Sequence, residues 1–381
     1  MIEIKKPNIK VPAGHELIYN EWGKKWVMRP IKGYSEKYLR PVNRFIPPKN
    51  VKETVDEVVE GISTKNNTAL NNAKSNKNDE FYTLLSVIEE EVGSYKEYFK
   101  GKIVYCPCDK VYNDYRSNFA EYFIRNFHTL GLKKLICTQF NPTGKGTLTE
   151  YDFDTCGVGW EYDGHMNPCE SFDESDINTY FLKGNGSFDS DECKAIMQKC
   201  DVIVTNPPFS LFRPFMEQVM DMGKKFLVIG NMNAITYKEI VPHILSDNLW
   251  MGHSGNNGMY FIVPESHTYV ETYKFKKEID GQKVCRMGNV CWFTNIPSDK
   301  ENPPIETGVK YDPNRHLNYT NMDGIECPTL ADIPMDYDGV MGVPITYLFK
   351  HCPSQFKIVG YTNSPQIGNE KLYKRLLIQK R

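Results

Sequence analysis

Short apolar runs and helix-period stretches alternate through the middle of the chain. TLLSVIEEEVGSYKEYF reads as a helix and KIVYC as a short buried strand. RSNFAEYFIRNFHTLG sets Phe119, Phe123, Phe127 and Leu130 on one helical face and closes at Gly131, a residue suited to ending a helix. KKLICTQF is the next strand. CDVIVT, LFRPFMEQVMDMG and KKFLVIGN follow as strand, helix and strand, and NAITYKEIVPHIL as a further helix. Buried strands alternating with helices predict an α/β domain built on a mostly parallel, doubly wound sheet. From about residue 249 the texture changes to short strands among Gly-, Pro- and Asn-rich loops, in LWMGHSGNNGMYFIVP, YVETYKF and KVCRMGNVCWFTNI. That texture predicts antiparallel hairpins at the far edge of the sheet.

The first fifty residues differ from the rest. They carry eleven Lys/Arg against four Glu, a local balance of +7 in a chain whose net charge is −2. Tyr19, Trp22, Trp26, Tyr34, Tyr38 and Phe45 lie among these charges. Such a mixture suits contact with nucleic-acid phosphates, and equally an arm packed on the main domain. A helix-like VKETVDEVVEGI and the polar STKNNTALNNAKSNKNDE follow, so a basic module over 1–62 and a linker over 63–80 are expected. At 381 residues, 40% hydrophobic and 25% charged, the composition is that of an ordinary globular protein. Eleven cysteines with no CxxC spacing argue against a zinc site or a disulfide framework. Free thiols without a secretory signal are expected in a reducing cytoplasm, and no apolar run reaches the roughly 18 residues that span a bilayer.

The run DVIVTNPPFSLF, Asp201 to Phe212, carries the most specific chemistry. Composition alone would place Asn-Pro-Pro-aromatic in fewer than about 1% of chains of this length. Ligands of open α/β sheets bind beyond the carboxyl ends of the strands, and DVIVT delivers the motif to such an end. Pro207 and Pro208 lack an N–H, so they stop the ladder and hold the backbone in a fixed bend. The Asn206 side-chain oxygen and a proline carbonyl can then converge as two acceptors on one NH2 group, with a flat ring stacked on Phe209. An amine of that kind is N6 of adenine. Holding both of its N–H bonds would turn the nitrogen lone pair out of conjugation and aim it at an electrophile, without a general base.

NKNDEFYT, IVYCPCD, SNFAEYF, GLKKLI, SDECKAIMQKCDVIVTNPPFSLFR, KKFLVIGNMNAITYKEI, IPMDYDGVMGVPITYL and PSQF, in that order, resemble the EcoRI-type adenine-specific DNA methyltransferase family. The similarity spans roughly residues 70–381, and residues 1–69 have no counterpart. It implies a Rossmann-like, S-adenosylmethionine-dependent methyltransferase fold, a doubly wound mixed sheet with DNA-recognition insertions. It also implies a metal-free enzyme that acts as a monomer on double-stranded DNA and flips the target adenine out of the helix. On this resemblance residues 81–250 form the catalytic core, 251–335 a hairpin- and loop-rich target-recognition region, and 336–381 strands completing the core.

The resemblance also assigns roles to residues. Asn206, Pro207, Pro208 and Phe209 are the catalytic motif. Asp79, Phe81, Tyr82 and Thr83 belong to the cofactor motif ahead of the first strand, where the last three would contact the methionine portion. The loop after that strand, Tyr105, Cys106, Pro107, Cys108 and Asp109, holds none of the glycines usual there, and Asp109 would pair with the cofactor ammonium. Phe188, in GNGSFDS, would stack on the cofactor adenine. Trp292 and Phe293 are candidates for a second face on the flipped base, against the alternative of core packing. Arg213, Asn256, Asn257, Arg286 and Arg315 are candidate DNA contacts. Two other functions remain open on sequence: methylation of a glutamine side chain by a similar Asn-Pro-Pro loop, and DNA binding by a catalytically inactive relative.

Overall fold

In the computed structural model the described residues are 82–109, 117–141, 157–164, 177–255, 258–262, 284–297 and 302–381, with the backbone of 15–20, 25–30, 275–279 and 282–283. Two hairpin strands, β1 (His15–Asn20) and β2 (Lys25–Pro30), precede the short β3 (Tyr82–Thr83). Then come α1 (Leu85–Gly93), β4 (Ile103–Cys106), α2 (Asn118–Arg125), α3 (Phe127–Leu130) and β5 (Lys134–Gln139). Next are β6 (Val158–Tyr162), β7 (Asn178–Phe181), α4 (Asp191–Lys199), β8 (Val202–Thr205), α5 (Phe212–Asp221), β9 (Lys225–Asn231) and α6 (Val241–Leu245). The remainder is strand-rich: β10 (Trp250–Met251), β11 (Met259–Ile262), β12 (Phe275–Ile279), β13 (Gln282–Met287), β14 (Val290–Thr294), β15 (Ile325–Glu326), β16 (Met341–Pro344), β17 (Phe356–Thr362), β18 (Gln366–Ile367), β19 (Glu370–Lys371) and β20 (Arg375–Lys380).

One ten-stranded sheet runs β1-β2-β7-β6-β5-β4-β8-β9-β14-β10. Only its centre, β5-β4-β8-β9, is parallel; every other neighbouring pair is antiparallel. The sheet is therefore mixed, not mostly parallel as the helix–strand alternation suggests. Parallel neighbours need crossovers, and helices lie between β4 and β5 and between β8 and β9. The β6–β7 pair falls in a stretch without that alternation and widens the sheet by antiparallel pairing. At the other side β14 and β10 supply the expected antiparallel edge. The β1–β2 hairpin of the basic N-terminal stretch joins the sheet through Met28 and Thr179. VKETVDEVVEGI and the linker lie outside the described residues.

Strand alternation divides the central strands between two cores. Val104, Cys106, Val202, Val204, Leu227, Ile229 and Trp292 enter one, with Ile88, Phe119 and Phe123 from the helices of that face. Tyr105, Ile203, Phe226, Val228 and Phe293 enter the other, with Phe215 and Val219 of α5. The C-terminal strands supply Met341, Val343, Phe356, Ile358, Leu376 and Ile378 to that second core. They do so from a sheet of their own, β15-β16-β20-β17, and add no strand to the main one. A third sheet, β12-β13-β11-β3, joins the strand before α1 to the hairpins after β10.

The helices are shorter than their hydrophobic patterns. The first ends at Gly93 and passes into a 3₁₀ turn over Lys96–Phe99; the second divides at Asn126. NAITYKEIVPHIL is a 3₁₀ turn, Met232–Thr236, followed by α6, because Pro242 is tolerated only in a helix's first turn. No helix among the described residues is long and apolar enough to cross a membrane.

Gly186 marks a close crossing at the carboxyl end of β5. Its φ is +78°, and a Cβ would lie 2.2 Å from the Gln139 carbonyl oxygen. Gly186→Ala should cost at least the roughly 1–2 kcal/mol of a left-handed residue with a side chain, with the clash added. The measurement is thermal unfolding: the melting temperature should fall by several degrees, and an unchanged value would mean that the loop moves aside freely.

Candidate active site

β4 and β8 are parallel neighbours, so both chains emerge at the same edge of the sheet. The chain after β4 forms β5 on one side of that strand and later returns to form β8 on the other, and ligands of open α/β sheets bind at such a reversal. Asp109 follows β4 at this edge. Its N–H donates to the Thr138 carbonyl (3.2 Å), and its Oδ2 accepts from the hydroxyl of Thr205, the last residue of β8 (3.2 Å). The side chain is only 5% exposed. Burial raises its pKa to about 7, opposed in part by hydrogen bonds from Ser117 and Thr205.

Asn206 comes next after Thr205 and is half-buried. Its Nδ2 donates to Thr83 Oγ1 (3.3 Å), which turns Oδ1 to the other side of the amide. The Thr83 carbonyl accepts from Asn118 Nδ2 (2.7 Å). Asn118 opens α2, whose N-cap, Ser117, accepts from the Ala120 N–H (3.1 Å). Thr83, Asn118 and Asn206, from three distant stretches of the chain, therefore meet at one point. Pro207 is buried, and the Pro208 carbonyl accepts from the Leu211 N–H (2.9 Å). Phe209 is half-buried and edge-on to Phe261 of β11, with ring centres 6.4 Å apart at 87°.

Several candidates lie inside the cores instead. Tyr105 and Cys106 are fully buried on opposite faces of β4, and the Tyr105 hydroxyl shares a hydrogen bond with Thr138 (2.8 Å). Their part is to carry the Pro107–Asp109 loop, whose Pro107 carbonyl accepts from Thr138 Oγ1 (3.2 Å). Trp292 and Phe293, 1% and 0% exposed, pack against Phe119 and Phe212, so neither offers a face to a base. The reason is their strand: β14 lies between β9 and β10, with α2 over the Trp292 face and α5 over the Phe293 face. Phe188 is buried edge-on against Phe215 (5.2 Å) in the loop that crosses the end of β5.

The DNA candidates are scattered. Arg213 is half-exposed, with its guanidinium 4.4 Å from the centre of the Tyr237 ring. Arg286 is exposed on β13, opposite Tyr260 of β11. Arg315 bonds Asp332 (2.6 Å), whose carboxyl is held below its usual range by the Thr329 hydroxyl first and by this contact next. Its visible role is to pin a turn. Asp79, Phe81, Asn256 and Asn257 lie outside the described residues.

Sequence reasoning missed the groups that orient these residues. Thr205, Thr138, Ser117 and Asn118 were not among the candidates, although Ser117 and Asn118 open the family-like SNFAEYF and Ser117 before an amphipathic stretch is a helix-cap signal. Glu91 stands on the apolar face of α1 with Ile88 and Val92 and is fully buried. It accepts from His253 N (2.7 Å), Ser254 N (2.8 Å) and Ser254 Oγ (2.5 Å), fixing the loop that leads to Asn256. A charge at a core position was the available signal. No group of three or more His, Cys, Asp or Glu side chains placed to hold a metal occurs among the described residues.

An Asn-Pro-Pro-Phe loop thus lies at a strand end beside a buried carboxylate, at the reversal point of an α/β sheet. The family model described as "Adenine-specific methyltransferase EcoRI" matches residues 69–380, and the chain belongs to that family of DNA methyltransferases. The Type II methyltransferase M.EcoRI of Escherichia coli is 39% identical, covering 77% of this chain and 89% of the relative. M.MpnI of Mycoplasma pneumoniae is 36% identical and M.MgeORF184P of Mycoplasma genitalium 35%, each covering 77% of this chain and 86% of the relative. No solved structure matches.

Asp109 makes a stability prediction. A carboxyl raised from its usual value near 3.9 to about 7 binds its proton more tightly in the folded state. Stability should therefore fall as pH rises between about 4 and 7 and level off above, by up to an order of about 4 kcal/mol. Urea unfolding of the ligand-free protein across this range should show the slope, and Asp109→Asn should flatten it. A wild-type slope that survives in Asp109→Asn would assign the effect to another group.

Proposed function

We propose that the enzyme transfers a methyl group from S-adenosylmethionine to N6 of an adenine flipped out of duplex DNA, acting as a monomer on a Rossmann-like core. The observation that carries this reading is the Thr83–Asn206 hydrogen bond, which joins Thr83 to the Asn-Pro-Pro-Phe loop beside Asp109.

The residues around Asp109 suit the cofactor. Its partners there are hydroxyls, and no basic side chain among the described residues offsets its burial. An ammonium group would do so, which fits the amino-acid end of S-adenosylmethionine. Tyr82 and Thr83 would hold the methionine portion, and Phe188, at the end of β5, would flank the adenine ring. When bound, the cofactor supplies an electrophilic methyl group on a positively charged sulfur.

Asn206 Oδ1 accepts one N–H of the target amine, with Thr83 keeping the amide turned for that purpose. The second acceptor is the Pro207 carbonyl, because the Pro208 carbonyl already receives the Leu211 N–H. Both prolines hold the bend that brings these oxygens together. Phe209 stacks on the base, and Phe261 supports its ring from the edge.

Asn206→Ala should keep cofactor affinity and lose about 10²–10³ in the methyl-transfer rate, by analogy with removal of one oxyanion-hole donor. Phe209→Ala should lose about 1–3 kcal/mol of stacking in DNA affinity. Tritium transfer to duplex DNA and to protein, measured in single turnover, tests both the variant and the substrate; near-normal transfer by Asn206→Ala removes the mechanism.

The paired amine cannot surrender both protons, so the base must leave the stack at a cost of a few kcal/mol. A 2-aminopurine at the target position should brighten when the complex forms. An unchanged signal alongside active methylation would mean chemistry on a stacked base.

A further inference from the structure

Beyond the end of β9 the chain forms the 3₁₀ turn Met232–Thr236, and two residues from the far C-terminal stretch return to it. Tyr373 Oη donates to Asn233 Oδ1 (2.6 Å), and Lys374 Nζ donates to Thr236 Oγ1 (2.8 Å). Arg213, four residues past Phe209, lies over the ring of Tyr237 at 4.4 Å. Residues from three separate segments thus form one basic and aromatic patch at the carboxyl ends of β8 and β9.

The electrostatics of the patch are unusual for a structural network. Lys374 is half-buried, and its ammonium is pushed below its usual pKa, first by burial and then by the charge of Arg213. Its hydrogen-bond partner is a neutral hydroxyl, and no carboxylate among the described residues compensates it. Arg213 lies with Nε 3.5 Å from Glu239 Oε2 and is half-exposed. Its guanidinium carries further N–H donors besides that one. Lys374 likewise has two N–H bonds beyond the one given to Thr236. Tyr373, 52% exposed, stands beside them. Two cations held on the adjacent residues Thr236 and Tyr237 are stabilised by an anion between them, and a phosphate offers oxygens to both.

We propose that Lys374 and Arg213, with Tyr373 fixing the segment that carries Lys374, clamp a DNA backbone phosphate next to the flipped nucleotide. This rests on the reading of the Asn-Pro-Pro-Phe loop as the base site. A base held by Asn206 and Phe209 keeps its sugar and flanking phosphates close to that loop, and Arg213 opens the helix that follows it. The C-terminal segment therefore belongs to the DNA-binding surface as well as to the second core.

The test removes the charge: Lys374→Gln leaves a neutral amide one atom shorter than the lysine. Duplex affinity is measured against salt for wild type, Lys374→Gln and Lys374→Arg. One phosphate contact contributes about −0.9 to the slope of log affinity against log salt. Lys374→Gln should therefore be flatter by about one unit, lose about 3.5-fold less affinity over a fourfold rise in salt, and weaken cognate and non-cognate duplexes alike. Lys374→Arg should restore the slope. A single methylphosphonate linkage, moved along the strand around the target adenine, should weaken wild type at one position where Lys374→Gln is indifferent. Inorganic phosphate should compete only weakly and equally with both proteins; strong competition lost in Lys374→Gln would assign the patch to a free anion instead. If wild type methylates duplex DNA and Lys374→Gln keeps the full salt slope, the clamp is wrong and the base site stands. If wild type neither binds nor methylates duplex DNA, both fall.

Discussion

The parallel pairing of β4 with β8 is the constraint on which the site depends. Parallel neighbours end at the same edge, so this single register brings the residue after β8 beside the loop after β4. Thr205 and Asp109 make that meeting specific through one buried hydrogen bond. Both strands are buried on two faces, by α1 and α2 on one side and by α4 and α5 on the other. A change in register would therefore move apolar side chains as well as the site. The stability of two cores stands behind the geometry of a few polar atoms.

A second element completes the arrangement from outside the main sheet. β3 pairs with β11, and through Thr83 and Phe261 this small sheet touches both Asn206 and Phe209. The Asn-Pro-Pro-Phe loop is held by its own prolines along the backbone and by β3 and β11 across it. Glu91 adds a tie from α1 to the loop leading out of β10, where a buried carboxylate is stabilised by two backbone N–H groups and a hydroxyl. A Cβ on Gly252 would meet that carboxylate at 2.3 Å, so the loop lies directly upon it.

The C-terminal strands show how one segment serves packing and surface together. Leu376 and Ile378 of β20 enter the second core, and Arg375 makes a two-pronged ion pair with Glu326 of β15 (2.6 and 2.9 Å). Those interactions set the position of the two residues just before them, Tyr373 and Lys374. Side chains at the surface are then fixed by the burial of their neighbours.

How much was legible in the sequence follows the range of the interactions concerned. Period-2 and period-3.6 patterns are local, so β4, β5, β8, β9, α2 and α5 could be located from KIVYC, KKLICTQF, DVIVT, KKFLVIGN and their helices. The bend at NPPF was legible for the same reason: proline geometry needs no distant partner. The mixed character of the sheet, the separate C-terminal sheet and the burial of Trp292 and Phe293 were not, because an aromatic strand residue looks alike whether it faces a core or a ligand. The pairing of Thr83 with Asn206, 123 positions apart, and of Lys374 with Thr236, 138 apart, had no local signal. By itself the sequence determined the elements, the acceptor motif and the family. Which elements became neighbours, and so which polar groups met at the site, was decided by the tertiary structure, because hydrogen bonds and burial act over distances that chain order does not encode.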